Sequence, residues 1–383
     1  MRNKLAGLLI ILFALPYSVF SQDTYNPIHT VVPFLMISPD ARSGAMGDVG
    51  VATTPDVYSM HWNSAKYAVI DGNGGFGLAY TPWLRSLVPD INIANVTAYT
   101  RLDARQVIAG SLTYSSLGEI QFTDDAGHPL KNYRPNEFSL DAAYSRLLTR
   151  NFSGGIALRF IYSNITGGVS SGESSTKAGT AFAADISGYY SNDIKLGTKA
   201  GTVSAGFNFS NIGSKMTYSN SDDPQFIPMN MRLGAGLSMA FDRYNKVGLN
   251  LDINKLLVPT PPEVATDGTI IAGKNPDVSV PVAIFQSFYD APGGFSEELK
   301  EYMIGLGAEY WYNDQFAIRA GYFNEAKMKG NLKYFTMGAG LRLNIFTLDF
   351  SYLIPETQTN PLARTLRFSL SFDFESLRNA RSK

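Results

Sequence analysis

The sequence predicts an all-β fold: a transmembrane barrel of about fourteen antiparallel strands whose N-terminal segment plugs the lumen. Three observations lead there. From Phe76 to Phe374, ten- to twelve-residue segments place an apolar or aromatic residue at every second position, as in Leu366, Phe368, Leu370, Phe372 and Phe374 against Arg367, Ser369, Ser371 and Asp373. That period of two collects the aromatics on one strand face and would scatter them around a helix. Composition agrees, with 13% aromatic and only 17% charged residues among 383. Finally, the turns between segments alternate between short and long, which is how membrane barrels distinguish their two ends.

The chain opens with Arg2 and Lys4 before an apolar run, Leu5 to Leu15, and Val19-Phe20-Ser21 suits cleavage before Gln22. Residues 1–21 thus read as a secretory signal peptide, since the run is short for a membrane span of about 20 residues. An exported chain that lacks helical spans but alternates like this is expected in a Gram-negative outer membrane. No cysteine is present, which removes disulfides, thiolate metal sites and a lipid-modified cysteine.

Residues 22–72 have a different texture. Ser38 to Ala52 carries glycines three apart, and Asp56 to Tyr67 reads DVYSMHWNSAKY. Such a glycine-rich stretch makes a poor free helix but permits close backbone approach. Being too apolar for a tail and too small for a domain, it is expected to plug the lumen, with Arg42, Met46, Gly47, Trp62 and Asn63 as its contact residues. Met46 and Trp62, the bulky anchors, are expected near the periplasmic end.

Residues 73–383 form the barrel, with strands expected near 74–82, 91–101, 106–115, 136–147, 152–165, 178–191, 201–212, 229–241, 244–256, 299–312, 315–323, 333–344, 346–354 and 363–374. Connections after even-numbered strands are short, among them Thr149-Arg150-Asn151 and Asn313-Asp314. Those after odd-numbered strands are longer and rich in Gly, Pro, Ser and Asp. This parity puts both termini in the periplasm and the long loops outside. Toward lipid fall Phe138, Leu140, Tyr144, Ile156, Leu158, Phe160, Tyr162, Val203, Phe207, Phe209, Met231, Leu233, Leu237 and Phe241. Toward the lumen fall Asp141, Arg159, Asp185, Arg232, Asp252, Glu309, Arg319, Arg342, Asp349, Arg367 and Asp373, which can pair across it and hold a plug. An arginine on the lipid face near the midplane would instead cost about 2–4 kcal/mol.

The longest connection, the external loop 257–298, holds six prolines and an apolar-aromatic stretch from Val278 to Phe288, continued by Tyr289 and Phe295. Exposing that stretch is costly unless something covers it. Either it folds into the lumen as a constriction or it inserts into a partner, with Phe285, Phe288, Tyr289 and Phe295 as the contact residues.

Enzyme signatures are absent. His29, His61 and His128 are scattered, and no nucleophile elbow occurs. The pairs Asp124-Asp125 and Asp222-Asp223 lack the alternating spacing of a calcium loop. No catalytic residue, metal or cofactor is therefore expected, and with a net charge of −1 and no basic stripe, no nucleic-acid partner.

The runs ARSGAMGDVGVA and MHWNSAKYA, followed by NKLLVPTPPE at Asn254 to Glu263, resemble the PorV family of type IX secretion proteins, within the wider FadL-like group of outer-membrane barrels. Ser64 stands where these proteins often carry proline. The resemblance implies a non-enzymatic adaptor that takes the C-terminal signal domain of secreted cargo from a large translocon barrel to a surface sortase and attachment complex. Lipid or lipopolysaccharide would surround its wall. The alternative within the wider group is a transporter of hydrophobic small molecules, which calls for an apolar lumen pocket and a strand kink, for instance at Gly154-Gly155 or Gly167-Gly168.

Overall fold

The alternation along the chain is realised as one closed sheet in the computed structural model, which describes residues 25–374 apart from 86, 89, 124–127, 168–169, 172–173, 220–222 and 358–359. The expected signal segment and the pair Asp124-Asp125, with Gly168 and Asp222, lie outside the described residues. The barrel strands are β1 (Gly74–Pro82), β2 (Ile91–Arg101), β3 (Gln106–Leu117), β4 (Asn136–Leu147), β5 (Phe152–Asn164), β6 (Gly179–Leu196) and β7 (Lys199–Gly213). They continue as β8 (Asn230–Ala240), β9 (Asn245–Leu256), β10 (Met303–Tyr312), β11 (Phe316–Asn324), β12 (Lys333–Arg342), β13 (Phe346–Pro355) and β14 (Leu366–Asp373). Each pairs with its sequence neighbour, and β1 closes on β14 from Gly75↔Asp373 to Tyr80↔Phe368. Closure leaves no unpaired edge, so the ladder satisfies the backbone polar groups around the whole circumference.

Facing follows the period. Along β10, Met303, Gly305, Gly307, Glu309 and Trp311 turn inward while Ile304, Leu306, Tyr310 and Tyr312 turn outward. The outer wall is a belt of aliphatic and aromatic side chains suited to lipid, with cross-strand ring pairs such as Phe76 and Phe372 at 4.7 Å and Tyr322 and Phe335 at 4.8 Å. Met231 departs from expectation: it shares the outward parity of Leu233 but is buried in an apolar cluster with Met216, Met229 and Leu257, because loops fold over that end of the wall.

The short turns are 102–105, 148–151, 197–198, 241–244, 313–315 and 343–345, and the long connections, which include 214–229, 257–302 and 325–332, all emerge at the opposite end. Two strand limits differ from expectation for visible reasons. The β6–β7 hairpin runs on to Leu196 and Lys199 because its last residues pair only with each other, beyond the ends of β5 and β8, and so lack the in-out alternation of a wall. Before β10, Leu299–Glu301 form a 3-10 turn whose Glu301 carboxylate pairs with Lys255 instead of extending the strand.

The amino-terminal side of the described residues departs from expectation. The start of β1 and the end of β14 lie at the short-turn end, as expected, but the first described residues do not. Asn26 donates its backbone N–H to Met328 O (2.9 Å), and Val31 donates to Phe226 O (3.1 Å), both in long loops. The segment from residue 25 to residue 73 therefore traverses the lumen, and the two ends of the described chain sit at opposite mouths. The reason is hydrophobic: Val32, Phe34 and Leu35 are buried among the long loops.

Leu158 lies at the centre of β5, between Ala142 and Ala184, and is 68% exposed. Leu158→Arg is expected to destabilise the barrel in lipid vesicles by about 2–4 kcal/mol in reversible denaturant unfolding. A cost under about 1 kcal/mol would place this wall outside the membrane core.

Candidate functional site: a filled lumen beneath an aromatic platform

The plug is seated by polar bonds to inward wall side chains, some of which also pair within the wall. Asp40 caps helix α1 (Ala41–Gly44) by accepting from Ser43 N (2.8 Å), and also accepts from Trp62 Nε1 (2.7 Å). Arg42 leaves α1 to pair with Glu309 of β10 (2.9 Å) and with Asp56 (2.8 Å). Glu309 in turn pairs with Arg319 of β11 (2.6 Å), and Arg319 with Asp349 of β13 (2.8 Å). A chain of alternating charge thus runs from plug into wall, buried except at the half-buried Asp56, and removing a buried member strands its partner. A second inner group joins Arg159 to Asp141 and to Asp185 (3.2 Å). Asp252 uses one oxygen to accept Gly50 N (2.7 Å) and Val51 N (3.0 Å).

The other plug residues are placed by backbone contact. Gly47 has φ of +70° and donates to Thr336 Oγ1 (2.8 Å), with Tyr322 and Leu306 carbonyls where a side chain would begin. Met46 lies on Gly307 and Gly321, so these wall glycines let the plug backbone touch the sheet. Asn63 caps the 3-10 turn Ser64–Val69 through Ala65 N (3.1 Å) and donates to Val51 O and Gly188 O, each at 3.0 Å. Trp62, which ends helix α2 (Ser59–Trp62), packs on Gly50 with the Arg232 guanidinium 4.8 Å from its ring.

Met46 and Trp62 were expected near the periplasmic end. Instead Met46 meets Gly307 and Gly321 in the middle of β10 and β11, and Asn63, the neighbour of Trp62, meets Gly206 in the middle of β7, because the inward glycines that make room are found there. Gly154 and Gly155 form no kink either: β5 pairs continuously on both sides, and Gly155 accommodates Ser64 and Ala65 of the plug. Among the described residues, the register shift in the wall lies between Ala184 and Ile186 of β6 and surrounds Asp185, whose carboxylate is occupied by Arg159 and Asn211 N (2.8 Å).

Above the plug, loop 257–302 is folded and not irregular. It contains a short ribbon (Glu263–Val264 with Ile270–Ala272), helix α3 (Val280–Gln286) and helix α4 (Phe295–Glu298). Pro281 sits in the first turn of α3, where its missing N–H costs nothing. The helix buries Ala283 and Gln286 and turns Val282 and Phe285 out. Phe285 is 71% exposed and Phe295 77%, with Phe288 and Tyr289 also exposed. The first three lie on α3 and the turn after it; Phe295 begins α4, and among the described residues none of the four rings stacks on another. Lys274 Nζ lies 3.6 Å from the Tyr289 ring centre.

Beneath this face is an ion network that the sequence reading did not single out. Lys255, 0% exposed, pairs with Glu298 (3.3 Å) and Glu301, and Lys329 pairs with Glu297 and with Glu301 (3.0 Å). Thr260 Oγ1 donates to Glu301 (2.6 Å) and Ala291 N to Glu298 (2.9 Å). Glu297, Glu298 and Glu301 at helical spacing in a charge-poor chain were the available signal; their lysines, remote in sequence, were not identifiable from it.

Asp290 belongs to the same network. Burial pushes its carboxyl up to about 6, aided by the nearby Glu298 and Glu301, while the bond from Thr260 N (3.2 Å) opposes the shift. Because the folded value lies above the unfolded one, its contribution is full below about pH 4 and lost as pH rises through 6. Asp290→Asn is expected to raise amide-exchange protection of residues 257–302 over the native chain at pH 7.5, with the difference shrinking as pH is lowered toward about 4. A variant as protected as the native chain at pH 7.5 would show that Asp290 carries no such penalty.

For the plug, Gly321→Leu is expected to displace residues 46–47, because a side chain there meets Met46 Cα and Gly47 N. The variant should insert but melt lower and admit small solutes in a liposome-swelling assay. Native melting and a tight barrel would refute a seated plug.

The family described as "Type IX secretion system protein PorV" matches residues 20–263, more than half of the chain. No curated protein matches. Among solved structures, the chain is similar to the TodX deltaS2S3 mutant monoaromatic hydrocarbon channel, at 13% identity and a TM-score of 0.49, covering 87% of this chain and 96% of that one. It is similar to the Pseudomonas putida toluene transporter TodX, at 12% and 0.47, covering 91% and 98%. A Pseudomonas aeruginosa FadL homologue gives 11% and 0.41, covering 92% and 100%. By the family match over its N-terminal segment and the first nine strands, the chain belongs to the PorV family of the type IX secretion system.

Proposed function

We propose that this chain is an outer-membrane adaptor of the type IX system, oriented with its short turns in the periplasm and its long loops outside. Its wall contacts lipid or lipopolysaccharide. Its platform docks a protein: the C-terminal signal domain of secreted cargo, received at a large translocon barrel and handed to a surface sortase and attachment complex. One observation carries this reading. Phe285, Phe288, Tyr289 and Phe295 are exposed on a loop held rigid by buried ion pairs, above a lumen filled by its own plug. Aromatic side chains presented on an ordered support are the residues that concentrate binding energy at protein interfaces. Transport of a hydrophobic small molecule, the other reading, needs an open apolar path, whereas the middle of this lumen holds the plug and the buried pairs of Arg42, Glu309, Arg319 and Asp349 and of Arg159, Asp141 and Asp185.

Replacing the four aromatics together with serine is expected to leave barrel insertion intact, since none belongs to a strand. Each truncation should remove roughly 2 kcal/mol or more of docking energy if it is a hot spot. Secreted proteins with uncleaved C-terminal signals should then accumulate inside the cell. Normal secretion by a correctly inserted variant would remove the platform from the docking role.

A further inference from the structure

The segment that reaches the long-loop mouth does more than end there. Its bonds reach three long loops, two of which Lys329 also joins through Glu297 and Glu301. Asn26 Nδ2 donates to Pro261 O (3.1 Å) and to Glu297 Oε1 (3.0 Å), both in loop 257–302, while Asn26 N reaches Met328 in loop 325–332. Val31 N reaches Phe226 in loop 214–229. Just after these fastenings Val32, Phe34 and Leu35 are buried in one apolar cluster with Ala283 of α3 and with Leu257 and Val258, against which Ile284 also packs. The inner side of the platform helix thus belongs to the same core as residues 31–37.

We propose that residues 25–37 are the latch of the platform: they bring the amino-terminal side of the chain to the same mouth as the long loops, and the surface offered to a protein partner is built from the chain's first segment together with its longest loop. Glu297 marks the junction, since its carboxylate receives both Asn26 and Lys329. Releasing the latch removes two hydrogen bonds from the loop, one of them to a charged acceptor, and loosens the floor under α3. Its continuation, residues 38–70, is the plug, so the latch also fixes the upper end of that segment. The partner-facing role rests on the docking reading above; the position of the latch and its hold on the loop do not.

Two measurements test this on the full chain, which has no native cysteine. Tyr25, 66% exposed, is replaced by cysteine and labelled in intact cells with an impermeant maleimide, beside Gly273→Cys in the long loop and Arg243→Cys in a short turn. Tyr25→Cys should label with Gly273→Cys, whichever side that reference reports; labelling with Arg243→Cys would overturn the latch. Separately, Asn26→Ala in the purified, inserted protein should speed chymotryptic cleavage within residues 280–295 roughly fivefold, as loss of about 1 kcal/mol of local stability predicts. The milder Asn26→Gln should fall between it and the native chain. An unchanged cleavage rate in Asn26→Ala would show that the segment does not hold the loop. A secretion defect in the aromatic variant without these results would leave docking standing and remove the latch; the reverse pattern would do the opposite.

Discussion

The constraint on which the structure depends is the width of a fourteen-strand barrel. At that size the inward side chains no longer meet across the axis, and inward charges pair only along the wall and lose bulk water once the interior is filled. The segment before β1 resolves both conditions. Arg42 extends the wall's charge chain, Glu309 to Arg319 to Asp349, into the lumen, and Gly50 and Val51 lend backbone N–H groups to Asp252. In return the wall offers glycines where the plug backbone must touch it, at Gly206, Gly307 and Gly321. Plug and wall are therefore one core, and neither sequence makes physical sense without the other.

From that core the outer architecture follows. The plug segment continues upward as the strap of residues 25–37, and the apolar side of α3 rests on it. The buried network of Lys255, Lys329, Glu297, Glu298 and Glu301 then fixes the loop from below. Rigidity of this kind lowers the entropy lost when a partner binds, so exposed aromatics cost less to order in a complex. The same feature explains why a chain would expose Phe285 and Phe295 at all: they are held apart from the core by design of the loop and not by lack of burial elsewhere.

Much of this was legible in the sequence. The alternation from Leu366 to Phe374 is unmistakable because lipid on one side and lumen on the other impose opposite chemistry on successive residues. Turn length preserved the parity even where strand limits drifted, as in the β6–β7 hairpin. The inward charges were readable because an arginine in lipid is so unfavourable. What was not readable depends on contacts between remote residues. The depth of Trp62 and Met46 is set by glycines on several separate strands, and no local pattern reports their height. Ile28 to Ile37 is apolar without a period, so nothing in it distinguished one mouth from the other. Lys255 meets Glu301 across 46 residues, and only the glutamate spacing was local. Helix α3 is seven residues long, too short for a helical period to emerge from its apolar run.

The most direct test of the whole account is site-specific photo-cross-linking in native membranes from position 285. A cross-linking side chain replacing Phe285 should capture secreted proteins that still carry their C-terminal signal domain, or the translocon barrel that presents them. The same side chain at Leu158 on the lipid face should capture lipid. Lipid adducts alone from both positions, in cells that are actively secreting, would contradict the account and make the aromatic platform part of the membrane surface.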